Sequence, residues 1–190
     1  MWRGNSTRAL GSCRRSDILL RNMNTIRKAR TTDLPLLVLM EGEYARDQRR
    51  SVLVENGRLR PYMQRVSGAK SALVLREVSK YFRQCLRSRN VVVSIAEQDS
   101  HPVGFSIVSI RTSPPIRKLR RHGNIDVFFV RRKYRGRGIS SLMMDRATKW
   151  FIRRGVKHVG LEVINDNKLA RAIYKKWGFY DFFVEMRKEI

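Results

Sequence analysis

A mixed α+β fold is the class this sequence predicts, on three observations. Apolar residues recur at helical spacing in two early segments, Leu34, Leu36, Leu37 and Met40 in the first, and Val74, Val78, Tyr81, Phe82, Cys85 and Leu86 in the second. Two strand-like runs then flank a polar turn, residues 90–97 and 103–110, as an antiparallel hairpin would. The rest of the chain alternates strand, helix, strand, helix, strand. A length of 190 residues, 42% of them hydrophobic, suits a single domain with a filled core, placed at residues 23–190.

Each element has its own grounds. Residues 1–22 carry five arginines and one acid without periodicity, and read as a disordered extension or a misassigned start, with Met23 as the alternative first residue. A short strand is expected at 24–29, then a helix capped by Thr32 that takes Pro35 in its first turn. Residues 41–68 are polar and resist assignment beyond an Arg46, Arg49, Arg50 patch and a turn at Asn56-Gly57. The second helix covers about 71–88, and Cys85 on its apolar stripe reads as a buried structural thiol. After the hairpin, residues 111–123 form a loop with Pro114-Pro115 and the basic cluster Arg117, Lys118, Arg120 and Arg121. A strand at 124–130, a helix at 138–154, a strand at 157–164, a short helix at 168–177 and a last strand at 179–186 complete the series.

Forty-one Lys and Arg face sixteen Asp and Glu, a net charge of +25, and residues 23–190 keep +21 of it. A charge of that size attracts nucleic acid, an acidic protein surface or a phosphorylated ligand without choosing among them. Cys13 and Cys85 form neither a zinc spacing nor a disulfide framework, so a reducing, cytoplasmic setting is expected. No apolar run approaches the roughly 20 residues of a membrane span, and no membrane partner is implied.

The most informative stretch is Val130-Arg131-Arg132-Lys133-Tyr134-Arg135-Gly136-Arg137-Gly138-Ile139-Ser140, between a strand and a helix. Gly136 and Gly138 permit a tight turn that brings backbone N–H groups to a ligand, and a helix start adds unpaired N–H groups and positive potential. That combination cradles phosphate or pyrophosphate, and the basic side chains between 131 and 137 reinforce it. A nucleotide P-loop would need Lys-Ser/Thr after its last glycine, and a dinucleotide loop a third glycine where Ser141 stands.

Arg135-x-x-Gly138-x-Ser140 resembles the Arg/Gln-x-x-Gly-x-Gly/Ala signature of the GNAT superfamily of N-acetyltransferases, departing from it at Ser140. Asn167-x-x-Ala170-x-x-x-Tyr174-x-x-x-Gly178-Phe179 resembles that family's carboxy-terminal block, one helix and one strand further on. The resemblance implies a GNAT-like fold, a central, mostly antiparallel sheet with helices on both faces, and acetyl-CoA as cofactor. It implies that Arg135, Gly136, Arg137, Gly138, Ile139 and Ser140 hold the pyrophosphate and that the backbone at Phe129 and Val130 meets the pantetheine. It further implies that Asn167 lies close to the cofactor and that Tyr174 protonates or hydrogen-bonds the departing thiolate.

A base must deliver the amine neutral. Asp126 is an acid inside the apolar run Ile125–Val130, where a carboxylate needs a partner or a task. Some family members carry a Glu at this place, so Asp126 is the first candidate, with Glu162 second and a base-free route third. His101, His122 and His158 show no metal spacing, and no metal is expected. The acceptor cleft of this fold would take in residues 41–68 and 111–123, both basic here. The expected reaction is direct acetyl transfer, in a ternary complex, to a protein or peptide amine, N-terminal or lysine. Glu41, Glu43, Asp47 and Glu55 keep a small-molecule amine open. The rivals are a nucleic-acid-associated basic protein on the same fold and an acetyl-CoA sensor. The partners left open are an acidic protein or RNA surface and a second copy in a homodimer.

Overall fold

Among the described residues, five strands in the order β1-β2-β3-β4-β5 make one sheet, antiparallel from β1 to β4 and parallel between β4 and β5. A computed structural model of the chain describes residues 23–53, 72–116 and 120–186. The strands are β1 Asn24–Lys28, β2 Val91–Gln98, β3 His101–Thr112, β4 Arg121–Val130 and β5 Val159–Leu161. The helices are α1 Leu34–Leu53, α2 Ala72–Arg87, α3 Ile139–Arg153 and α4 Lys168–Lys176. The fold is thus the mixed α/β class expected, with a largely antiparallel sheet and helices on both faces. Met1–Asn22, Asn56-Gly57, Arg117 and Lys118 lie outside the described residues.

Strand alternation divides the core in two. On one face Leu37 and Met40 of α1 and Phe82 and Cys85 of α2 pack against Val93, Ile95, Phe105, Ile107 and Phe129. On the other, Ile139, Met143, Ala147 and Phe151 of α3 cover Val103, Val108, Ile110, Ile125 and Val130. Gly123 is required by this second packing, because a Cβ there would stand 2.6 Å from the Phe151 ring. Cys85 is buried and free, and its thiol pKa is raised by burial.

Four expectations change. Thr32 does not cap α1; a 3-10 turn over Thr31–Asp33 leads into it, and the Asp33 carboxylate accepts the Arg30 N–H at 2.7 Å and two Arg27 guanidinium bonds at 2.8 Å. The Arg27 bonds hold that carboxyl below its usual range. The unassigned stretch after residue 41 continues α1 as far as Leu53, for no proline interrupts it and Gly42 sits where a Cβ would meet only an Arg46 side chain. The 111–123 loop shrinks, because Arg111 and Thr112 pair with His122 and Arg121 and extend the β3–β4 hairpin. No strand forms at 179–186. A strand needs a ladder, and β5 is three residues long where residues 157–164 were expected, so Tyr180, Phe182, Phe183, Val184 and Met186 stay exposed.

Candidate active site

The site begins where β4 loses its neighbour. β4 meets β5 only through Gly123, Asn124 and Ile125. The next residue, Asp126, is a bulge on the β3 side: Ile125 faces Val108 and Val127 faces Ile107, with Asp126 unpaired between them. Beyond it β4 runs on beside a gap. The Arg131 N–H donates to the Val103 carbonyl at 2.9 Å, and an antiparallel ladder alternates direction residue by residue. The backbone of Phe129 therefore bonds β3, and the N–H and C=O of Phe128 and Val130 face the gap. Of the two residues expected here, Val130 is placed toward it and Phe129 is not; Phe128 takes that position.

The gap ends on the loop into α3. Gly136 and Gly138 have φ of 77° and 76°, left-handed geometry that strains any residue with a Cβ. Gly138 is the N-cap of α3 and brings no side chain to it. The first helical bond runs from the Leu142 N–H to the Gly138 carbonyl at 3.1 Å, so the N–H groups of Ile139, Ser140 and Ser141 have no acceptor within the helix. The Ile139 side chain is buried in the core, so its part in a ligand site is its backbone. These are the donors an anion at a helix N-terminus uses.

The cations of the loop are more committed than composition suggests. Arg131 makes a two-pronged pair with Glu43 of α1 at 2.7 and 2.9 Å and donates to the Pro102 carbonyl at 2.7 Å. Arg135 donates through Nε to the Val130 carbonyl at 2.8 Å and pairs with Asp47 of α1. Arg132 stands 3.8 Å from the same Asp47. Arg137 reaches back to Gln98 at 2.8 Å and lies over the Tyr134 ring at 5.4 Å, where Lys133 also sits. Arg131 and Arg135 thus brace the loop against α1, and a phosphate would rely chiefly on the glycine loop and helix N–H groups.

On the face covered by α1 and α2 lies a cluster of phenols and carboxyls. Tyr174 of α4 packs edge-on to Trp177 and Phe179, at 5.9 and 6.0 Å, and Trp177 meets Phe128 at 6.3 Å, which sets α4 across the gap. Burial raises the Tyr174 phenol pKa and keeps it protonated. Tyr174 lies close enough to Tyr44 of α1 to act on its charge, as does Glu41. Burial, chiefly, takes Tyr44 to about 12. Glu41 stands between Leu37 and Ala45 on the inward side of α1; its Oε2 is buried without a hydrogen-bond partner, and burial alone lifts its pKa to about 7. Asp126 also reaches this side, within electrostatic range of Tyr81. Its Oδ1 accepts from Arg111 at 2.6 Å and Asn124 at 2.8 Å, and its Oδ2 is buried without a partner.

The remaining expected residues lie apart from the reacting groups. Glu162 follows the last residue of β5 and is exposed. Asn167 is the N-cap of α4, its side-chain oxygen accepting the Ala170 N–H at 3.1 Å, which fixes the helix carrying Tyr174. Among the described residues no cluster of His, Cys, Asp and Glu could hold a metal ion, and no helix is long and apolar enough to cross a membrane.

The family model for the acetyltransferase (GNAT) family matches residues 60–179. The chain belongs to that family. Two uncharacterised N-acetyltransferases, of Methanocaldococcus jannaschii and Archaeoglobus fulgidus, are each 31% identical to it over 99 residues, 52% of this chain. The match spans 43% of the first relative's length and 67% of the second's. A crystal structure of a Clostridium acetobutylicum protein with acetyl-CoA, described as a predicted acetyltransferase, superposes with a TM-score of 0.64 at 25% identity, covering 87% of this chain and 96% of that one. In this GNAT domain the sequence signatures therefore fall on the glycine loop, the α4 cap and Tyr174. The sequence reading takes Glu41 only as one of four acids near the acceptor cleft and not as a base, because a glutamate in a polar stretch reads as solvated. Its place between Leu37, Met40, Tyr44 and Ala45, on the stripe facing the sheet, is the signal that marks it.

Proposed function

We propose that the protein transfers the acetyl group of acetyl-CoA to a primary amine, directly and in a ternary complex. The observation that carries this reading is the open β4 edge, which leads past two left-handed glycines to the uncapped start of α3 and has Tyr174, Tyr44 and Glu41 alongside. The backbone of Phe128, the Val130 N–H and the N–H groups of Ile139, Ser140 and Ser141 would hold the cofactor, the Val130 carbonyl being engaged by Arg135. Acetyl-CoA supplies the acetyl group as a thioester and leaves as the thiol.

The chain's own groups manage the protons. Glu41 Oε2, with no competing partner and a pKa of about 7, accepts the proton of the incoming ammonium and leaves the amine nitrogen its lone pair. The Tyr174 hydroxyl stays protonated and gives its proton to the sulfur as the carbon–sulfur bond breaks, and the proton that the acylated nitrogen sheds on becoming an amide restores the phenol. Asp126 is the weaker candidate for base, because Arg111 and Asn124 already occupy one of its oxygens. Glu43 and Asp47, which could have attracted a polyamine, are engaged by Arg131 and Arg135. That favours a single amine presented by a protein or peptide, N-terminal or lysine, with the basic exterior attracting an acidic surface.

The test is an acetylation assay over peptides with free or blocked N-termini, with and without lysine, beside spermidine and an aminoglycoside. Turnover on peptides with a strong dependence on one amine type supports the reading. Turnover confined to the small molecules overturns the acceptor, and acetyl-CoA binding with no turnover on any amine overturns the enzyme.

A further inference from the structure

Away from the reacting groups, α3 and the β1–β2 side of the sheet enclose a cavity of about 340 Å³. Six cations line it: Lys28, Arg87, Arg89, Arg146, Arg153 and Arg154. They come from three separate parts of the chain, and no acid lines the cavity with them. Ser94 and Ser106, both buried, put hydroxyl-bearing side chains in its lining, and Trp150 adds a ring with Arg154 over it at 5.6 Å. A second hollow of about 230 Å³ shares Arg146 and Arg153 and adds Lys149, with Asp145 as its one acid. Arg146, Lys149, Trp150 and Arg153 fall at helical steps, so one face of α3 carries a basic stripe that lines both hollows. The fifteen residues of α3 set the far end of that stripe about 22 Å from the glycine loop.

Helix dipoles account for Arg87 and Arg153 in last turns. They do not account for Lys28, Arg89 and Arg146, which join the same space. Like charges brought together without an acid repel, and an anion relieves them.

We propose that this groove binds the phosphate backbone of single-stranded nucleic acid. Cations spaced along a helix face can track the phosphates of one flexible sugar–phosphate strand. Trp150, partly buried, stands at the border of the groove with the Arg154 guanidinium over its ring. This site is separate from the acetyl-transfer reading and does not depend on it.

The experiment is fluorescence anisotropy of a labelled 20-nucleotide single strand with the full chain, over a series of salt concentrations. Three proteins are compared: the natural chain, Arg146→Glu with Arg153→Glu, and a control with the same charge change on the exposed side of α2, Arg76→Glu with Arg83→Glu. A milder pair, Arg146→Gln with Lys149→Gln, covers a failure of the first to fold, and acetyl-CoA binding serves as the check on folding. The groove variant is expected to bind at least about tenfold more weakly, with a salt slope shallower by about 1.4, two phosphate contacts at 0.7 each. The control should change by less than about threefold. Equal losses in groove and control variants would mean diffuse attraction and overturn the site. Competition by poly-glutamate as effective, charge for charge, as the oligonucleotide would overturn the nucleic-acid assignment.

Discussion

The two faces of the sheet solve opposite electrostatic problems within one strongly basic chain. Under α1 and α2 the titratable groups are acids and phenols: Glu41 and Asp126 each keep a buried oxygen without a partner, beside Tyr44, Tyr81 and Tyr174. Beside α3 the groove is lined by cations with open space between them. The difference teaches that net charge describes the exterior and says little about the chemistry. A buried carboxyl is costly, and its retention in a chain with so few acids marks a task. A cluster of cations at the surface is cheap for each residue and acquires meaning only from convergence.

The largest expected effect sharpens this contrast. Glu41→Gln should lower kcat/KM by about 10²–10⁴-fold and leave acetyl-CoA affinity intact. In the natural enzyme kcat/KM should fall about tenfold per pH unit below about 7, since the base must be ionised, and the variant should lose that limb. A limb unchanged in Glu41→Gln and lost in Asp126→Asn would return the role to Asp126. Tyr174→Phe should cost about 10²-fold in kcat with little change in KM, read by steady-state kinetics. A clear fall in thermal midpoint alongside the loss in kcat would instead mark that tyrosine as packing.

Smaller effects follow. Gly138→Ala forces a Cβ into left-handed geometry at a cost of about 1–2 kcal/mol, so acetyl-CoA should bind about tenfold more weakly by calorimetry while the helical content holds. Glu41 also yields a stability test of known sign. Its folded pKa, about 7, lies above the unfolded 4.5, so the folded state binds the extra proton. Its stability contribution is complete below pH 4.5 and is lost as pH rises through 7. At pH 8 the Gln variant should unfold later in denaturant, by up to about 3 kcal/mol. No gain at pH 8 would mean that Glu41 is solvated.

Local patterns were legible in the sequence, and distant pairings were not. α2, α3 and α4 start and stop within a residue or two of their apolar stripes, and the β2–β3 hairpin follows its alternation. The glycine loop was legible because positive φ has few residue solutions. The true partners of Arg131 and Arg135 lie 88 residues away on α1, a distance no local pattern spans. The failure at 179–186 has the same root, for alternating apolar residues make a strand only where a neighbour offers a ladder. The expected basic site also proved half braced: the loop arginines were assigned to phosphate, and two of them grip helix carboxylates.

Those two grips give α1 a further consequence. One side of this helix sends Glu43 and Asp47 to the loop that would carry the cofactor, and another sends Glu41 and Tyr44 to the place where the amine would lose its proton. A rigid rod cannot shift at one register and stay still at the other. With both sites occupied as proposed, α1 would act as a lever between them, and thermodynamic reciprocity would require that whatever one occupant does to the helix is felt equally in the affinity for the other.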